Sequence, residues 1–249
     1  MTEPMVSDLL SCGFNESPLG NSDLDKQVYS YHVYCGFVNS TGDPTNRYSC
    51  QVDDDLVIDS KENDVKRLKV CLVELVFDQM NQTGGFITEF GALSNFTQSE
   101  YEIDWITGLS DQFLRSWTYW QFKYYQDPTT AASPPTTESF YSPSGKLQSR
   151  KVKALSRTYT HALCGTPKLM QFNPDNSQFN LVYTHGDCGS QPTIIYLNQE
   201  FYYPNGFTVN VYPQSINMEY KQTELNYLQF IPRNDVSPGT EIEIVITRN

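Results

Sequence analysis

Glu89 lies in "GGFITEFGAL" (84–93), among Phe86, Ile87, Phe90 and Leu93. An ionised carboxylate that leaves water without a partner is strongly disfavoured. Either a strand ends here and Glu89 emerges into solvent, or the site requires an acid in a dry place. An acid held in that way can act as a nucleophile or as a general acid or base. One group of suitable chemistry precedes it. In "QVYSYHVYC" (27–35), Ser30, His32 and Tyr34 share one face of a strand by its period of two. A second group follows. In "SWTYWQFKYY" (116–125), Ser116, Thr118 and Trp120 share a face, two small residues below a large aromatic one.

The elements that must position these residues alternate. The segment 27–35 reads as a strand, and a loop rich in Gly, Asn, Asp and Pro follows to about residue 55. "ENDVKRLKVCLVELVFDQM" carries Val65, Leu68, Leu72, Leu75 and Val76 at helical spacing, and Gly84 and Gly85 are expected to end that segment. "FITEF" is a short strand. "SEYEIDWITGLSDQFLRS" opens with a capping box, Ser99 with Glu102, and presents Ile103, Ile106, Phe113 and Leu114 as its apolar stripe. The segment 116–125 is the third strand. Strand, helix, strand, helix, strand is the rhythm of a parallel sheet with crossover helices, and the site of a parallel barrel lies at the carboxyl ends of its strands. A long loop rich in Pro, Ser and Thr then leads to "RKVKALSRTYTHALCG", read as a basic helix with Val152, Leu155, Tyr159 and Leu163 inward. After Pro167 come five short β-rich runs, "FNLVYT", "TIIYLN", "FTVNVYP", "YLQFIP" and "EIEIVITRN", separated by Gly, Pro and Asn. That texture indicates an antiparallel sandwich. The boundary is expected near Thr166, giving 1–166 and 167–249.

Bulk properties exclude some functions. A net charge of −12 argues against nucleic acid, whose phosphates require clustered Lys and Arg. No apolar run reaches the roughly 20 residues of a membrane span, and the longest, "VCLVELVF", is broken by Glu74. The acidic run Asp53–Asp55 lacks the spacing of a calcium loop, and the cysteines lack metal-site spacing, so no metal is expected. Four acceptor sequons, at Asn15, Asn39, Asn81 and Asn95, have a secretory character, although "MTEPMVSDLL" is not a signal peptide. Cys35 and Cys50 flank a polar loop suited to closure by a disulfide, with a buried free thiol as the alternative. Cys164 and Cys188 form a second candidate pair.

"SYHVYC", "ITEFGAL" and "SWTYWQFKYYQD" together resemble the last strands of glycoside hydrolase family 5, and within it the endoglycoceramidase group. "KVKALSRTYTHALCGTP", "FNLVYT" and "TIIYLNQEFYYPNGFTVNVYP" extend the resemblance into an appended C-terminal sandwich, so it covers nearly the whole chain. The fold it implies is α/β plus all-β: the C-terminal part of a (β/α)8 TIM barrel, strands five to eight, then an antiparallel β-sandwich. Glu89 matches the nucleophile at the end of strand seven. His32 and Tyr34 match the strand-six pair that orders the nucleophile and the sugar. Trp120 matches the strand-eight platform beneath the sugar, with Trp117 and Lys123 as further substrate contacts. The implied reaction is retaining hydrolysis of the β-glycosidic bond between glycan and ceramide in a glycosphingolipid, without cofactor. It takes place in a secreted or lysosomal, lumenal setting, with peripheral contact to membrane lipid.

A steryl glucoside or polysaccharide is the alternative substrate, and a non-catalytic glycolipid-binding remnant is the alternative class. The family's acid/base follows an Asn at the end of strand four. The pair Asn15-Glu16 lies too close before His32 to be that motif, and Glu3 in "MTEPM" falls at the tip of strand five. The chain is therefore expected to lack strands one to four and the acid/base.

Overall fold

The computed structural model describes residues 28–33, 84–95, 97–125, 137–189, 191–216, 218–231 and 236–249. Tyr34, Cys35, Cys50, Asn15, Asn39, Asn81, Glu3, Glu16 and the expected helix at 62–80 lie outside the described residues. Two compact units divide between Val152 and Lys153. Among the described residues no helix is long and apolar enough to cross a membrane.

The first unit contains a three-stranded sheet in the order β1 (Val28–Val33), β2 (Gly84–Gly91) and β3 (Ser116–Trp120), with both pairs parallel. Gly84 and Gly85 open β2. Val28 and Tyr29 pair with them, and the Arg115 side chain occupies the place where a Cβ on Gly85 would lie. Helix α1, Thr97–Gln112, crosses from β2 to β3 and buries Ile103 and Ile106 completely. Its start corrects the expected capping box. Ser99 is the third helical residue and is fully buried, and Glu102 is buried rather than reaching back to a cap. Leu114 also departs from the expected stripe. It follows the helix with φ 52° and is 37% exposed, while Arg115 N donates to Ser110 O to close the helix end. β3 stops at Trp120, five residues earlier than the aromatic run suggests.

Helix α2, Ser149–Leu155, contains the division between the units and is shorter than expected. The aromatic and β-branched residues of "TYTHA" leave the helix and form β4, Tyr159–Ala162, paired antiparallel with β7, Thr193–Tyr196. Buried Arg157 and Thr158 fix the exit. Arg157 Nη2 donates to Phe172 O at 3.0 Å, and the Thr158 and Tyr203 hydroxyls lie 2.9 Å apart.

The second unit consists of two four-stranded antiparallel sheets. One has the order β4, β7, β10 (Tyr227–Ile231), β9 (Glu219–Glu224). The other has β5 (Gly165–Asn173), β6 (Gln178–His185), β11 (Glu241–Arg248), β8 (Phe207–Tyr212). A single-turn helix α3, Gln199–Tyr202, capped by Asn198, is the one helical interruption among its described residues. Alternation directs Phe179, Leu181 and Tyr183 of β6, and Ile242, Ile244 and Ile246 of β11, into one core with Ile195, Leu228 and Phe230. All five β-rich runs read from the sequence are strands here. β4, β5 and β9 complete the sheets.

Candidate active site

β2 is the centre of the parallel sheet, and its ladder changes step at Glu89. Toward β1, Tyr31 pairs with Ile87 and His32 with Glu89, so Thr88 is passed over. Toward β3, Ile87 pairs with Trp117 and Phe90 with Tyr119, so Thr88 and Glu89 together oppose Thr118. This is a β-bulge, one extra residue on the central strand.

The bulge answers how an acid can sit between two core residues. Ile87 and Phe90 are both fully buried, although regular alternation would place them on opposite faces. The extra residue puts both on the face of Trp117 and Tyr119. Phe90 meets those rings edge-on at 5.6 and 5.5 Å. Thr88 and Glu89 share the other face. There the Thr88 hydroxyl lies 2.7 Å from Ser30 Oγ, and Thr118 Oγ1 donates to the Thr88 carbonyl. Glu89 is half-buried, in register with His32, near the carboxyl end of its strand. Trp120 is half-buried at the same end of β3, in register with Gly91.

Backbone bonds fix the chain beyond Glu89. Gly91 has φ 131° and Ala92 φ 55°, and Ala92 N donates to Trp120 O at 2.7 Å. A Cβ on Gly91 would collide with that same carbonyl and with the Tyr119 ring. Leu93 is buried; its N–H donates to Tyr119 Oη at 3.3 Å and its carbonyl accepts from Lys151 Nζ at 2.8 Å.

The sheet thus brings Glu89, His32 and Trp120 to one end at the level of the backbone. Two expected contacts lie elsewhere. Trp117 packs on Phe90, on the face of β3 away from Thr118. Lys123 is exposed beyond the strand, its ammonium 5.4 Å from the Tyr125 ring centroid. Asn95 is half-buried, and its Oδ1 accepts from Lys151 N at 3.3 Å. The disulfide pairs Cys164 with Cys188 within the second unit. Among the described residues no three His, Cys, Asp or Glu gather to hold a metal ion.

A buried polar group behind the strand ends was not expected from sequence. Lys151 is fully buried and also donates to Thr137 O at 2.6 Å. Burial pulls its ammonium down to about 7, with nearby Glu138 acting in the opposite direction. Tyr119 Oη donates to Glu138 O at 2.9 Å, and burial raises its phenol above the usual range. Gln121 Nε2 donates to Glu138 Oε1 at 3.3 Å. Burial pushes the Glu102 carboxyl up to about 8, and neither of its oxygens has a hydrogen-bond partner among the described residues. No signal in the sequence sets Lys151 apart from Arg150 and Lys153, which the structure leaves exposed.

These strands and the sandwich are matched in known proteins. Residues 157–246 match the glycoside hydrolase family 5 C-terminal domain. The matched stretch runs from Arg157 at the exit of α2 to Ile246 in β11 and takes in the sandwich of the second unit. Over 241 residues the chain is 27% identical to an endoglycoceramidase of Hydra vulgaris, covering 96% of this chain and 40% of that protein. Endo-glycoceramidase II from Rhodococcus sp., solved as a lactosyl-enzyme intermediate, superposes with a TM-score of 0.59 at 15% identity, covering 89% of this chain and 42% of that one. Sterylglucosidase 1 of Cryptococcus neoformans superposes with a TM-score of 0.65 at 14% identity, covering 89% of this chain and 38% of that one. The chain therefore spans about two-fifths of the length of the curated relatives it matches.

Proposed function

We propose that this chain carries the nucleophile side of a retaining β-glycosidase of family 5 that releases glycan from ceramide in glycosphingolipids. The observation that carries the reading is the bulge at Thr88–Glu89, which turns one carboxylate away from the core at the carboxyl end of the central parallel strand, in register with His32. β1, β2 and β3 are read as strands six, seven and eight of a (β/α)8 barrel, whose C-terminal portion ends before the sandwich strand β4 rather than near Thr166. The endoglycoceramidase relatives support the substrate class.

In this reading the Glu89 carboxylate attacks the anomeric carbon and forms a glycosyl-enzyme ester. A second carboxyl, roughly 5 Å away, protonates the leaving oxygen and then activates water. That second carboxyl is assigned to a segment outside these 249 residues, and His32, Tyr34 and Trp120 order the nucleophile and the sugar. No cofactor takes part. A lumenal or secreted setting is proposed, supported by the Cys164–Cys188 disulfide. Steryl glucosides are the second substrate reading, supported by the sterylglucosidase superposition.

The test uses the full-length protein with 2-deoxy-2-fluoro-β-lactosyl fluoride and 2-deoxy-2-fluoro-β-glucosyl fluoride. Fluoride leaves without protonation, so the label reports the nucleophile alone. An adduct on the peptide containing Glu89 is expected. Labelling at another carboxylate overturns the assignment. Hydrolysis of fluorescent glycosylceramide against fluorescent steryl glucoside then separates the two substrates, and absence of both label and turnover leaves the binding remnant.

A further inference from the structure

We propose that Lys151 is a positioning residue for Glu89, acting through the Gly91–Leu93 turn, where it and Tyr119 hold the two backbone polar groups of Leu93. The inference rests on the reading of Glu89 as the nucleophile.

The turn after Glu89 takes an unfavourable path. Ala92 lies in the left-handed region, which an L-residue adopts at a cost and keeps only where its surroundings hold it there. Three bonds do so. Trp120 O takes the Ala92 N–H, Tyr119 Oη takes the Leu93 N–H, and Lys151 Nζ takes the Leu93 carbonyl. The same ammonium takes the Thr137 carbonyl. Gln148 then locks the Thr137 segment: its Nε2 donates to Thr137 O at 3.0 Å, and its Oε1 accepts from Thr137 N at 3.2 Å. One buried cation thus joins the strand end that carries Glu89 to a segment that is itself fixed.

A lysine is an expensive choice if volume were all the site required. Burying an ammonium is costly, and a methionine would fill similar space. The lysine supplies a donor to the Leu93 carbonyl, which would otherwise be buried and unpaired, and a second to the Thr137 carbonyl, which it shares with Gln148 Nε2. The groups facing it are Glu138, whose charge favours the ammonium, and the Tyr119 ring at 6.0 Å. Lys151 touches neither sugar nor Glu89 in this account; it sets where the carboxylate sits.

The test compares the unsubstituted full-length protein, Lys151→Met and Tyr119→Phe, labelled with 2-deoxy-2-fluoro-β-lactosyl fluoride. Three quantities are read separately: the limiting rate constant of Glu89 labelling, the half-saturating concentration, and the final stoichiometry. In Lys151→Met the rate constant is expected to fall between about tenfold and 10²-fold, the cost of a small misplacement of a reacting group. Half-saturation is expected to stay within about twofold and stoichiometry near that of the parent. A stoichiometry that falls while the rate constant per labelled site holds makes Lys151 merely structural and overturns the proposal. If Lys151→Met does not fold, Tyr119→Phe, which loses only a hydroxyl, decides by the same rate criterion. No label on Glu89 in the unsubstituted protein overturns the glycosidase reading and this proposal with it. Label in the parent with an unchanged rate in the variants overturns this proposal alone.

Discussion

The parallel sheet and the sandwich solve the same problem, burying a sheet face, by different means. In the sandwich, β6 and β11 alternate strictly. Every second side chain enters one apolar core, and the outward residues stay partly wet. In the parallel sheet the central strand breaks its alternation at Thr88–Glu89, and the space behind its end is filled by Lys151, Glu138, Tyr119 and Glu102. Regular alternation gives one continuous apolar core. The broken alternation and its buried polar support place a carboxylate near the carboxyl end of the central strand. The difference teaches that the local rule is broken at the candidate site, where such violations are usual.

The largest effect that would sharpen this contrast is at Glu89. In the full-length protein, Glu89→Gln is expected to lower glycosyl-enzyme formation on the order of 10⁴-fold or more, as loss of a nucleophile does. Amide hydrogen exchange across β6 and β11 should not change. Glycosidase turnover near that of the parent would separate the bulge from the chemistry and break the comparison at its centre.

The opposite substitution belongs in the sandwich. Phe230 is fully buried in β10, its ring centroid 5.6 Å from that of Tyr220. Phe230→Ala removes a large core side chain and leaves a cavity, and is expected to cost about 3–5 kcal/mol in denaturant unfolding followed on the second unit. A cost below about 1 kcal/mol would mean that the sandwich core does not hold this unit together.

These contrasts also explain what the sequence disclosed. The sandwich was legible because its information is local: "FNLVYT" or "EIEIVITRN" announces its inward face by period two alone. The parallel strands and Glu89 were legible through motif resemblance. The bulge was not, because one extra residue in a five-residue window looks the same whether or not the ladder slips. Gly84 and Gly85 were read as ordinary glycine punctuation; only Arg115, far along the chain, reveals why β2 needs a glycine at Gly85. Ser99 and Glu102 fit a capping box in spacing and failed because burial, not spacing, decides where α1 starts. Lys151 was invisible for the same reason. Its partners, Leu93 and Thr137, are separated from it by 58 and 14 residues. Trp117 was read with Trp120 as a contact, yet residues three apart on a strand face opposite ways, and Phe90 packs on Trp117.

Acidity should separate the two units next. Burial raises Glu102 from 4.5 to about 8, so between those values the folded chain keeps a proton that the unfolded chain has released. Stability of the first unit therefore falls as pH rises through that window. Burial lowers Lys151 from 10.5 to about 7, so above 7 the unfolded chain holds the extra proton and stability rises again toward 10.5. The two contributions oppose each other between 7 and 8, which leaves the first unit least stable near neutrality. From pH 5 to pH 7 the fall is expected to be on the order of a few kcal/mol at about 1.4 kcal/mol per pH unit. Glu102→Gln should remove it. In the sandwich, Tyr203 is raised from 10.0 to about 12, a contribution present below 10 and lost only as pH climbs beyond it. Hydrogen exchange at pH 5 and pH 7, corrected for the intrinsic rate, should therefore change in α1 and β3 far more than in β6 and β11. Equal changes in both would remove the acid-sensitive half of the contrast.

The smallest effect comes from giving the second unit the substitution already made in the first. Lys168, on β5, has its ammonium 2.6 Å from Glu241 Oε2 on β11, as short as the shorter of the two hydrogen bonds made by Lys151 Nζ. Distance alone would rank the two lysines together. Solvent separates them. The Lys168 and Glu241 side chains are 52% and 62% exposed, so water screens their attraction and takes over both partners when one is removed. Lys168→Met is therefore expected to change the unfolding free energy of the second unit by less than about 0.5 kcal/mol, and by less still in added salt. Lys151→Met leaves the buried Leu93 carbonyl without its donor, while Thr137 O keeps Gln148 Nε2. The measurement is denaturant unfolding of Lys168→Met at low and high salt, beside the labelling kinetics of Lys151→Met. A salt-independent loss above about 1 kcal/mol at Lys168 would mean that the surface of the sandwich carries stability that its core was credited with.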